Sequence, residues 1–150
     1  MPIIRVEYID AAIEKTSEAR QLEDLRNLRA LVSKLSALED CAPEHILRNR
    51  LEAGEDPRKV RIPAFASSMS ADAGAEIHRL QLRKCRRAAL PSEIVTNLVQ
   101  LNADDLTSWR EILKHTRLPK NALIAQEIVA AKEGLQQSMQ SFIAQWHSAP

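Results

Sequence analysis

Leu22, Leu25, Leu28, Leu31, Val32, Leu35 and Leu38 recur every three or four residues, separated by charged or polar positions such as Glu23, Asp24, Arg26, Asn27, Arg29 and Lys34. Helical geometry places residues three and four apart on one face, so this spacing predicts an apolar stripe along about 24 Å of helix. Leu25, Leu28, Val32 and Leu35 fit the a and d positions of a heptad, and Leu31 and Leu38 widen the stripe toward a bundle-type face. Two heptads are too few for a free-standing coiled coil, so the stripe calls for a partner within the chain. Ile124, Ile128, Ala131, Leu135, Met139, Phe142 and Trp146 supply one, at nearly ideal helical spacing. Two long helices, over about 9–39 and 120–146, are therefore expected to form the spine of the fold.

The segments between them read as shorter helices. Ile4, Val6 and Tyr8 alternate with Arg5 and Glu7 in a strand-like way, but no second strand is available to pair with them, so residues 1–8 are expected to form a flexible N-terminal arm. Thr16 and Ser17 mark a break or kink. Pro43 suits the first turn of a short helix carrying Ile46, Leu47 and Leu51, and Gly54 suits its left-handed closure. Residues 61–70 show no period and form the best loop candidate. Ser70 and Asp72 open a helix running to about Ala89, with Ile77, Leu80, Cys85 and Ala88 toward the core, and Pro91 ends it. Ser92 caps a short helix with Ile94, Val95, Leu98 and Val99. Asn102, followed by Asp104 and Asp105, then reads as the cap of another, which Leu118 and Pro119 stop. The expected architecture is all-α, a compact bundle of about six helices forming a single domain over residues 9–150.

Composition supports that class. The 45% hydrophobic and 27% charged fractions are those of a folded soluble chain, and three glycines are too few for a multi-hairpin β architecture. The enrichment in Ala, Leu and Arg is compatible with a bacterial origin. A net charge of +1 gives no global attraction to nucleic acid or to an anionic membrane, so either would need a local patch. No apolar run approaches the roughly 20 residues that span a bilayer, and no membrane span is expected. The first ten residues lack an apolar signal core, which points to a cytoplasmic protein, with non-Sec export or injection into a host left open.

The local charge anomaly is Arg79, Arg83, Lys84, Arg86 and Arg87. On one helix face these side chains suit a phosphate backbone, giving a candidate nucleic-acid contact. Alternatively they are a solvated face matched by acids on the first helix, Glu7, Asp10, Glu14, Glu18, Glu23 and Asp24. Cys85 lies among these arginines, which can lower a thiol pKa, but a small side chain packed at a helix interface is the favoured reading. Glu111 and His115 share a face, but no second histidine completes a metal set, and no metal or other cofactor is expected. Ser67, Ser68 and Ser70 lack a nucleophile motif, so no catalytic residue is assigned and the protein is not expected to be an enzyme. Ile62, Phe65 and Met69 in the loop and Trp146 near the C-terminus are apolar positions suited to partner binding. The leading expectation is a non-enzymatic helical protein–protein interaction module, an adaptor, regulator or effector that binds a protein partner or its own copy as a homodimer. The alternative is a nucleic-acid-associated regulator acting through Arg79–Arg87.

Overall fold

The computed structural model describes residues 3–52, 54, 71–117 and 119–148, and those residues form helices without a strand. Five helices are defined among them: α1 (Val6–Glu14), α2 (Ala19–Glu52), α3 (Ala71–Arg87), α4 (Pro91–His115) and α5 (Pro119–Ser148). The all-α class follows from the paired apolar stripes. Leu25, Leu28, Val32 and Leu35 of α2 are buried, as are Ala125, Ile128, Val129, Leu135 and Met139 of α5. The two helices run antiparallel, since Trp146 near the end of α5 reaches Asp24 near the start of α2. α5 packs along both α2 and α4, while α1 lies across α2, α3 and α4. α4 completes the core with Ile94, Val95, Leu98, Leu106 and Trp109.

Several boundaries differ from the sequence expectation, each for a definable reason. The stretch before Ile9, expected as a flexible arm, is helical from Val6 and buries Ile4 and Tyr8. Tyr8, Ala11 and Ala12 share the inward face of α1 at helical spacing, and Ile4, in the bend before the extended Arg5, is buried beside them. The first long helix is broken in two between Glu14 and Ala19, at Thr16 and Ser17. Thr16 Oγ1 donates to the Ala12 carbonyl at 2.7 Å, and the Glu18 carboxylate accepts the N–H groups of Arg20 at 3.0 Å and Gln21 at 2.8 Å, capping α2.

At its other end α2 runs on through Pro43 to Glu52, and no separate short helix begins there. Proline's fixed φ is compatible with helix, and the cost is one lost backbone hydrogen bond and local crowding. Gly54 has φ 84°, the left-handed conformation expected of it. α4 is also a single helix, and Asn102 is a buried interior residue and not a cap. The buried part of the leucine stripe is narrower than the seven-residue pattern, because Leu31 is exposed and Leu22 and Leu38 are half-buried.

Candidate functional site

Polar side chains gather at two places, one closed and one open. The closed one lies where α2, α4 and α5 meet. Lys132 of α5 is 1% exposed, and its ammonium forms ion pairs with Glu39 of α2 and Asp105 of α4. The same ammonium lies 5.9 Å from the centre of the Trp109 ring, at the outer reach of a cation–π contact. Asn102 Nδ2 donates to the Lys132 carbonyl at 3.0 Å and to Gln136 Oε1 at 2.8 Å. Asn102 Oδ1 is buried and finds no hydrogen-bond donor among the described residues.

Two carboxyl groups share one ammonium in a desolvated place. Burial pushes the Glu39 carboxyl above its ordinary range, against the opposing pull of Lys132. Such a cluster fixes how three helices meet, but its side chains are closed off from a solute. Sequence reasoning missed it, although a signal was present: each polar residue occupies an apolar position of its own helix. Glu39 continues Leu28, Val32 and Leu35; Asn102 and Asp105 lie between Leu98 and Trp109; Lys132 lies between Ile128 and Leu135.

The open place is the outward face of α3. This helix is held to the body by His78, Gln81, Leu82, Cys85 and Ala88, which recur at three- and four-residue intervals and are buried or half-buried. His78 Nδ1 and the Tyr8 hydroxyl are hydrogen-bonded at 3.0 Å, and burial pushes the Tyr8 hydroxyl up to about 12. Lys15 Nζ donates to the Arg86 carbonyl at 2.7 Å, placing a cation on the last turn of α3, where the helix dipole favours it. Lys84 Nζ donates to Asn97 Oδ1 at 3.0 Å, and Asn97 Nδ2 donates to Gln81 Oε1 at 3.1 Å. Cys85 is buried in this seam, and burial pushes its thiol up despite the opposing effect of Lys84 and Lys15. The arginine-rich helix therefore does not activate it.

The seam leaves Ile77 and Leu80 outside, 42% and 51% exposed, contrary to the expectation that they point to the core. The face opposite Tyr8 is taken by His78, Leu82 and Cys85 instead, and Ile77 and Leu80 turn out among Arg83, Lys84 and Arg87. The apolar and basic residues thus share one face and do not divide the helix between them. Arg79 pairs with Glu76 at 2.6 Å. Among the described residues no carboxylate lies within ion-pair distance of Arg83, Arg86 or Arg87. Three of the six acids nominated to neutralise this face are engaged elsewhere: Asp10 pairs with Arg29 at 2.6 Å, Asp24 accepts from Trp146 Nε1 at 3.0 Å, and Glu18 caps α2. At the end of the basic row, a cleft of about 260 Å³ opens between α3 and α4.

The other sequence candidates are scattered. Trp146 is half-buried, stacks on Phe142 with ring centres 6.4 Å apart, and spends its N–H on Asp24 of α2. Ile62, Phe65 and Met69 lie outside the described residues. Glu111 and His115 form an exposed pair at 2.8 Å. Among the described residues no group of three His, Cys, Asp or Glu side chains is placed to hold a metal ion, and no helix is long and apolar enough to cross a membrane. Comparison with known proteins gives no relative: no family model, no curated protein and no solved structure matches the chain.

Proposed function

We propose that this chain is a non-enzymatic protein–protein interaction module, cytoplasmic in its working place, whose binding surface is the outward face of α3. One observation carries the reading: Ile77 and Leu80 are exposed in the middle of a row of cations that the described residues leave largely unneutralised. Exposed apolar side chains of this size gain free energy by leaving water, on the order of 1.5–3 kcal/mol each when fully covered. Guanidinium groups around them favour a partner bearing carboxylates and speed its encounter.

A nucleic-acid-associated regulator gripping phosphates with Arg79, Arg83, Lys84, Arg86 and Arg87 is the second reading, and the unpaired guanidinium groups favour it. Ile77 and Leu80 count against it, since apolar side chains in the centre of the face add nothing to a phosphate contact.

A photo-crosslinking residue placed at Leu80, with the same residue at exposed Leu31 as control, separates the readings. The expected result is a protein adduct formed in cells from position 80, absent from position 31, and lost when Arg83 and Arg87 are changed to glutamate. Adducts with nucleic acid, together with binding that weakens steeply as salt rises, would establish the second reading in its place.

A further inference from the structure

The row that leads from Leu80 along α3 ends in the cleft, and the two features together describe a partner. Leu80, Lys84 and Ala88 are spaced four residues apart, so they form one line along the helix, about 12 Å from first to last. Cys85, Ala88 and Ile94 give the cleft an apolar floor, and Lys84 and Arg87 stand at its edge. Asn97 and Glu93 complete the lining. Asn97 is already bonded to Lys84, and Glu93 Oε2 accepts the Ala89 N–H at 3.3 Å, so part of its charge is spent at the start of α4. At about 260 Å³ the cleft falls below the roughly 300–1,000 Å³ of small-molecule sites, and its size suits one apolar side chain.

We propose that the occupant is an acidic amphipathic helix of a partner protein, with one apolar side chain seated in the α3–α4 cleft, a second against Ile77 and Leu80, and carboxylates on Arg83, Lys84 and Arg87. This rests on the reading of α3 as the binding face. The two apolar seats lie about two helical turns apart, so the partner helix presents its anchors seven residues apart on one side. Charge selects the partner: among the described residues the face's cations find a single carboxylate partner, at Arg79, so a neutral or basic helix gains nothing from the rim. An apolar anchor seated in a cleft and rimmed by charge is the arrangement in which a few residues dominate affinity.

Fluorescence anisotropy with labelled, glutamate-rich helical peptides carrying two leucines seven residues apart tests this. Replacing either leucine by alanine is expected to weaken binding about tenfold, the size of an ordinary anchor contact. Ala88→Met, which narrows the cleft, is expected to weaken the two-leucine peptide similarly and to leave the singly substituted peptide that lacks the cleft anchor unchanged. The peptide substitutions need no change to the protein, so a poorly folding variant does not decide the matter. Affinity indifferent to both leucines and to Ala88→Met, yet lost on changing Arg83 and Arg87 to glutamate, overturns the anchored helix and leaves the α3 face as a binding surface. Absence of peptide binding at low salt overturns the acidic occupant, and if single-stranded RNA or phosphatidylserine vesicles bind instead, the protein-interaction reading falls with it.

Discussion

Changing Lys132 to methionine removes the one cation of the buried cluster while keeping an unbranched side chain in its place. Glu39 and Asp105 are then left as two desolvated carboxylates with no counter-charge, and the carbonyl contact of Asn102 is untouched because it uses the backbone. Breaking a buried ion pair from one side costs about 3–5 kcal/mol. Here both carboxylates lean on a single ammonium, so the upper part of that range is expected. Domains of this size have about 5–15 kcal/mol in total, so the variant forfeits about a quarter or more of its stability. At about 2–4 °C per kcal/mol its midpoint falls by roughly 6–20 °C. A triple variant, Lys132→Met with Glu39→Leu and Asp105→Leu, replaces the whole cluster by apolar side chains and is expected to recover to within about 1 kcal/mol of wild type or to exceed it. Urea unfolding followed by helical circular dichroism gives both numbers, with an unchanged slope as the condition for comparing them. A loss below about 1 kcal/mol in the single variant, or a triple variant no better than the single one, would refute the view that the three charges act as a unit.

Three further outcomes follow from the same contacts. Because burial raises the folded-state pKa of Glu39, folding favours its protonated form; that contribution is complete below the unfolded value and is lost as pH rises through the folded value. Melting curves should therefore show wild type gaining stability relative to Glu39→Gln on acidification from neutral pH, and a pH-independent difference between the two removes the claim. Tyr8→Phe deletes the hydrogen bond to His78, worth about 0.5–1.5 kcal/mol, and hydrogen exchange is expected to accelerate across Ala71–Arg87 while α5 stays protected; a uniform acceleration would mean that α3 is not anchored there. Leu28→Ala should cost about 2–5 kcal/mol, whereas exposed Leu31→Ala should stay within about 0.5 kcal/mol, and equal losses in thermal unfolding would contradict the narrow buried seam.

What the amino-acid pattern made legible was the spine. Leu25, Leu28, Val32 and Leu35, and on the partner helix Ile128, Leu135 and Met139, are apolar at helical intervals and buried accordingly. Boundaries were harder because the same letters serve two purposes. Asn102 followed by Asp104 and Asp105 is a good helix start by composition, yet Asn102 and Asp105 are there to meet α5. Polar groups on an apolar row read as interruptions until their partners on other helices are known, and Glu39 and Lys132 are 93 residues apart. The basic residues of α3 were identifiable from the sequence, but which apolar neighbours they share a face with was not. Seven helical positions separate Ile77 from Lys84, and either edge of the row can turn inward. The choice is made by Tyr8, a residue on another helix, which packs on His78 and so rotates Ile77 and Leu80 outward.

The polar contacts between α2 and α5 have a bearing on alternative pairings of the two helices. Asp24 and Glu39 are fifteen residues apart on α2, and their partners Trp146 and Lys132 are fourteen apart on α5, so the two fasteners lie about 21–22 Å apart along either helix. A leucine seam alone is nearly periodic, and sliding one helix by a turn sets most apolar side chains into equivalent seats. The same slide of about 5.4 Å carries Lys132 away from Glu39 and Trp146 away from Asp24 at once. The spine is thereby keyed to one register, and because Asp105 meets the same ammonium, the key sets the axial position of α4 as well.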